Sequence, residues 1–106
     1  MATTPINIRF ARHEAPVLTV TMNPTTNITG WTFTFTLRKI GSSALITVSG
    51  VITNATGGVF TVSLTKAQTS SIARNAYDYD IWRTNSGSEA RLVYGTVTLE
   101  DQAWAT

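Results

Sequence analysis

The sequence predicts an all-β chain folded as a two-sheet antiparallel sandwich of about seven strands with one short helical turn. Three observations carry that expectation. Trp31, Phe33, Phe35 and Leu37 alternate strictly with Thr32, Thr34, Thr36 and Arg38, and a period of two puts the aromatic set on one face of a strand and the hydroxyls on the other. The same grammar recurs along the chain, broken by turn signals about every ten residues. Twenty of the 106 residues are threonine, Val and Ile are frequent, and Glu, Lys and Leu are few, which is the composition of strands. An open barrel is the alternative architecture.

The elements follow in order. Ile6, Ile8 and Phe10 alternate with Asn7 and Arg9 in a first strand that ends near Arg12 and His13, where a turn through His13-Glu14 is expected. Leu18, Val20 and Met22 alternate with Thr19 and Thr21 in a second, which Pro24 and the turn-forming residues Asn23 and Asn27 terminate. The third strand is the Trp31 to Arg38 run. After a turn at Gly41-Ser42-Ser43, Leu45 to Ile52 is apolar on both faces, the pattern of a fully covered fourth strand. The loop Asn54 to Gly58 leads to a fifth, with Phe60, Val62 and Leu64 on one side. Thr65 reads as the N-cap of a single helical turn, Lys66 to Ala73, with Gln68 completing a capping box and Ile72 pinning the turn to the core. In the sixth strand Tyr77, Tyr79 and Ile81 face opposite to Asp78, Asp80 and Trp82. The polar loop Thr84 to Glu89 closes a hairpin with the seventh, Arg91 to Leu99. Strict alternation there places Val93, Gly95, Val97 and Leu99 inward and Leu92, Tyr94, Thr96 and Thr98 outward. One domain is expected, with a core over residues 5–100 and short tails at Met1 to Thr4 and Asp101 to Thr106.

Composition excludes several classes of function. Zero cysteines removes disulfide frameworks, thiolate zinc sites and thiol nucleophiles together, and points to a chain made in a reducing cytoplasm. The net charge is +2, but the eight cations are dispersed, with no basic run longer than Arg38-Lys39, so nucleic acid is not an expected partner. The opening MATTPINIRF is not of signal-peptide type, and no stretch approaches the ~18 apolar residues of a membrane span. Without a signal the sequons Asn27-Ile28-Thr29 and Asn54-Ala55-Thr56 carry no consequence. Charged residues make up 13% of the chain, about half the usual ~25%. Such an exterior is either covered by a partner or is a threonine-rich surface in contact with water.

No catalytic, cofactor or metal site is expected. His13 is the only histidine and has no second ligand at metal spacing. The serines include no nucleophile elbow. Asp78 and Asp80 share a face, as a carboxylate pair for acid–base work or calcium would, but nearby arginines make a solvated or salt-bridged pair the simpler reading. The glycine-containing loops open no helix and read as turns. Trp82 points away from the inward set of its strand, and with Leu92 and Tyr94 beside Arg83 and Arg91 it is a candidate protein interface. The same patch could instead be covered within the monomer by the tails or by residues 65–73. Trp104, beyond the last strand, is either a peg for a partner or a flap over its own sandwich.

The order of the segments INIRF, VLTVTM, NITGWTFTFTLRK, TGGVFTVSLTKAQTSSIA and YDYDIWRTNSGSEARLVYGTVTLED resembles the small immunoglobulin-like module of bacteriophage structural proteins. The N-terminal domain of baseplate upper proteins and related short virion proteins are the nearest in pattern. The resemblance spans residues 6 to 99, and it rests on order and spacing because each segment alone is ordinary strand grammar. The chain departs from it in having Ile28 where Leu is usual and in stopping after one module, which resembles stand-alone capsid decoration, or cement, proteins. The resemblance implies an immunoglobulin-like sandwich and a non-enzymatic virion protein. Its expected partners are the major capsid protein or other virion proteins, and it would act as a homo-oligomer on the particle, with no membrane or nucleic-acid partner. A tail, neck or baseplate attachment module is the alternative within that family, and a carbohydrate-binding sandwich the alternative outside it.

Overall fold

The computed structural model describes residues 6–100 apart from Asn23, Ile40, Ser42 and Arg74. They form strands β1 (Ile8–Ala11), β2 (Val17–Thr21), β3 (Phe33–Arg38), β4 (Ala44–Ser49), β5 (Val51–Asn54), β6 (Val59–Ser63), β7 (Asn75–Arg83) and β8 (Ala90–Glu100), with one helical turn, α1 (Lys66–Ser70), between β6 and β7. A five-stranded sheet in the order β1-β8-β7-β3-β4 packs on a three-stranded sheet in the order β2-β6-β5. The expected immunoglobulin-like all-β sandwich is therefore the fold. Its pairings are antiparallel except that β1 runs parallel to β8, Ile8 opposite Val97 and Ala11 opposite Glu100.

Periodicity explains most of the core. Phe33, Phe35 and Leu37 of β3, Tyr77, Tyr79 and Ile81 of β7, Phe60 and Val62 of β6, and Val97 and Leu99 of β8 are all buried, while their alternating neighbours are not. The sheets meet at Phe33 and Phe60, whose rings stack with centroids 3.8 Å apart and 6° between planes.

The continuous fourth strand is corrected. It divides at Gly50, β4 staying in the large sheet and β5 joining the small one. Gly50 makes this single-residue crossing because a Cβ there would lie 2.9 Å from Phe33 Cβ, closer than real side-chain carbons approach. The two apolar faces of this segment are thus two edge strands, and Leu45 and Val51 are exposed rather than covered. The strand count becomes eight among the described residues.

Polar anchors close the ends. Thr65 accepts from Gln68 N at 3.1 Å and Gln68 Oε1 accepts from Thr65 N at 2.8 Å, the expected capping box. The helical turn is shorter than predicted, ending at Ser70. It also holds the β1–β2 turn: the buried Thr69 hydroxyl donates to Glu14 O, and the Arg12 guanidinium donates to Ile72 O and Ser70 O. His13, at positive φ, sits at 2.6 Å from Ser70 Oγ. Tyr77 donates its hydroxyl to Ala73 O, four residues upstream, the tyrosine corner of immunoglobulin sandwiches. The position two residues later, where such domains carry a disulfide half, is Tyr79. Its ring stacks on Phe35 at 5.7 Å and its hydroxyl donates to Ile6 O at 2.6 Å. Gly95 lies opposite Tyr79 and lets the chain at Ile6 pass close, since a Cβ there would collide with the Ile6 carbonyl.

Burial raises the Tyr79 hydroxyl above its ordinary pKa of 10.0. The folded chain therefore keeps this proton at pH values where the unfolded chain has begun to lose it. The resulting stability is fully present below about pH 10 and is lost as pH rises through the higher folded-state value. Tyr79→Phe is expected to start ~1 kcal/mol less stable through loss of one hydrogen bond. Between about pH 9 and pH 11 it should then lose less stability than the parent chain, as read from urea midpoints. Equal alkaline losses in the two proteins would remove Tyr79 as the pH-sensitive anchor.

Candidate docking face

The outward side of the five-stranded sheet presents three rows set by register. Thr34, Trp82 and Arg91 form one row; Thr36, Asp80 and Tyr94 the next; Arg38, Asp78 and Thr96 the third. Thr36, Arg38, Asp78, Asp80, Trp82, Arg91 and Tyr94 of these rows line a shallow concavity of about 350 Å³. Trp82 remains 39% exposed, and the Arg91 guanidinium lies 4.1 Å from the centroid of the Tyr94 ring, within cation–π range.

A bulge creates this grouping. Residues 91 and 94 are three apart, so regular alternation would put them on opposite faces. The β7–β8 register instead pairs Ile81 with Val93 and Trp82 with Arg91, leaving Leu92 as an extra residue on β8. The insertion brings Arg91 round to the face of Tyr94 and turns Leu92 inward.

Of the six residues singled out from sequence, the structure joins Trp82, Tyr94 and Arg91. Leu92 is corrected: it packs against the core and, with Val93, Tyr79 and Ile81, lines a groove that opens beside β2. Arg83 is corrected too, because it pairs in register with the inward Phe33. Its guanidinium stacks on Trp31 at 3.8 Å, and its Nε donates to Asn85 Oδ1 at 3.0 Å. It braces the loops at that end, where Asn85 also accepts from Thr32 N and donates to Gly30 O. Trp104 lies outside the described residues.

Asp78, Asp80, Arg38 and Thr36 complete the face and were not assigned to it from sequence. The signal was present, since Asp78 and Asp80 share the outward side with Trp82, but their strand neighbours require the β3–β7–β8 order. Among the described residues no group of three or more His, Asp or Glu side chains is placed to hold a metal ion. The face offers stacking surface, one guanidinium on a ring, and carboxylates and hydroxyls able to hydrogen-bond a partner. No protein-family model matches the chain, and no curated protein sequence matches it.

The two corrections separate core from surface in a measurable way. Leu92→Ala should lower unfolding free energy by about 1–2 kcal/mol, the value of a partly buried leucine. Arg91→Ala should change it by no more than ~0.5 kcal/mol, as at an exposed site. The reverse order in chemical denaturation would return Leu92 to the surface.

Proposed function

We propose that this chain is a non-enzymatic bacteriophage virion protein, a capsid decoration protein that docks on the shell through the Trp82–Arg91–Tyr94 face. The observation that carries the reading is this face itself: a partly exposed tryptophan and an arginine-stacked tyrosine held at fixed positions on the middle strands of a sheet. Tryptophan, tyrosine and arginine are the residues most enriched where interfaces concentrate their binding energy. The order of motifs over residues 6 to 99 supports the virion setting by resemblance, with the major capsid protein as partner.

The work is mechanical. β3 and β7 are fixed from beneath by Phe33, Phe35, Tyr79 and Ile81, so the outward side chains meet a partner with little backbone entropy left to lose. One such face is a small contact. Repeated over a symmetric particle, many copies joined to a common lattice add their contacts through avidity and hold neighbouring subunits together.

Purified protein is expected to co-sediment with empty capsids at a stoichiometry matching lattice sites. Trp82→Ala should weaken that binding by ~2 kcal/mol or more with little change in melting temperature. Binding to tails or baseplates alone would favour the attachment-module reading. Trp82 with Asp80 and Asp78 on the same outward face of β7 also suits sugar hydroxyls, so glycan binding lost in Trp82→Ala, with no capsid binding, would replace decoration by carbohydrate recognition.

A further inference from the structure

The two carboxylates of the outward face have no cation of their own. Asp78 and Asp80 lie on one side of β7, two residues apart, so roughly 6.5 Å separates their backbones along the strand. Both are partly buried, and both line the concavity on its middle strand, between Thr36 and Arg38 on β3 and Arg91 and Tyr94 on β8. Across the strands Asp80 faces the neutral Thr36 and Tyr94, while Asp78 faces Thr96 and Arg38. Among the described residues the one ion pair joins Arg9 and Glu100 elsewhere, 3.7 Å apart. Neither aspartate side chain pairs with a cation or accepts a hydrogen bond there.

The arginines of the face leave these charges unanswered. Arg91 lies over the Tyr94 ring at 4.1 Å rather than on Asp80, and Arg38, opposite Asp78 in register, makes no ion pair with it. Two like charges at this separation repel, and they remain on the central strand of the concavity. Trp82, 39% exposed, is the next residue on that side after Asp80. Carboxylates beside an open indole form a seat for a cationic side chain: the oxygens accept its N–H groups and the ring carries its stem or its planar head. An acidic group at the same place would meet Asp78 and Asp80 at the centre, with Arg38 and Arg91 only on the outer strands.

We infer that the partner presents a basic side chain, an arginine or a lysine, which enters the concavity with its head at Asp80 and Asp78 and its stem across Trp82. The inference rests on the reading of this face as a docking surface, and it names the chemistry a partner must carry there. Arg38 and Arg91, on either side, then take carboxylate or carbonyl oxygens around that basic residue, so the matching surface is a cation ringed by acceptors. Asp80, with neutral neighbours on both strands, decides which partner is accepted.

The test titrates the full chain with the blocked peptide acetyl-Gly-Arg-Gly-amide, and with acetyl-Gly-Glu-Gly-amide as its counterpart, while NMR follows the backbone amides and the tryptophan indoles. The arginine peptide should shift Asp78, Asp80 and the Trp82 indole progressively, and the glutamate peptide should leave them in place. The double variant Asp78→Asn/Asp80→Asn, shown by its melting curve to fold, should lose those shifts, and Asp78→Lys/Asp80→Lys should transfer them to the glutamate peptide. On capsids Asp80→Asn should weaken co-sedimentation about tenfold or more and flatten its dependence on salt. Arginine-peptide shifts without capsid binding would uphold the basic seat and remove the decoration reading. Capsid binding that Asp80→Asn leaves unchanged would keep the docking and overturn the seat. No shift from the arginine peptide up to about 100 mM, far beyond the ~1 mM of weak specific association, would also overturn it. So would shifts as large from the glutamate peptide, which would assign the face to an acidic partner, or shifts on concentrating the chain alone, which would assign it to a second copy.

Discussion

The stack of Phe33 on Phe60 is the contact on which the rest of the molecule depends. It joins the two sheets directly, with both rings buried, and it lies under Gly50, the single residue through which the chain passes from β4 in one sheet to β5 in the other. Gly50 donates its N–H to Phe33 O and leaves no room for a side chain against Phe33 or Phe60. A bulkier residue at 50 would push β4 from β3 or β5 from β6, and either movement separates the layers. Because Phe33 fixes which way β3 faces, it also fixes Thr34 and, through register, Trp82 and Arg91 on the opposite side. The candidate docking face is in this sense the reverse of the core contact.

An immunoglobulin-like sandwich without cysteine must tie its layers by other means. Tyr79 stands where the bridge would, and it fills the space with a ring stacked on Phe35 and a hydroxyl that holds the entering chain at Ile6. The tyrosine corner at Tyr77 and the bonds from Arg12 and Thr69 fasten the turns at one end, while Asn85 and the Arg83–Trp31 stack fasten the other. Each bond contributes on the order of 1 kcal/mol, and several sharing one turn act together. A disulfide acts chiefly by limiting the unfolded chain, whereas these contacts exist only in the folded one, so cooperativity takes the place of a cross-link.

Legibility in the sequence followed the range of the interaction involved. The alternation from Trp31 to Arg38 and the Thr65–Gln68 capping box depend on neighbours within a few residues, and both appear as read. Leu92, Arg83 and the Leu45 to Ile52 segment depend on partners elsewhere. The alternation rule assumed an unbroken ladder, and one inserted residue at Leu92 reversed everything on its N-terminal side. That is how Arg91 joined Tyr94 while Leu92 left the surface. Residues 45–52 were apolar on both faces for a reason opposite to the one their pattern suggested: the segment changes sheets, and each half buries one side and leaves an edge. Glycine at 50 is the residue that permits it, yet a glycine inside an apolar run is also compatible with an ordinary bulge. The tyrosine corner was open to reading, since a tyrosine follows the helical turn within a few residues, but its partner carbonyl is identified only by the path of residues 71–73.

The sparse charge of this chain bears on both kinds of surface. The edge strands β2, β4 and β5 contain no charged residue, a composition that gives a free sandwich little protection against strand pairing, and a charged fraction of 13% adds little general repulsion. Such a surface is tolerable when its copies are held at fixed spacing. Docking through Trp82, Arg91 and Tyr94 would supply the spacing, because those residues lie on the rigid middle strands rather than on the flanks. The face would then orient each copy from the rigid centre of the larger sheet, and fixed spacing of copies would limit the strand pairing that a sparsely charged surface otherwise permits.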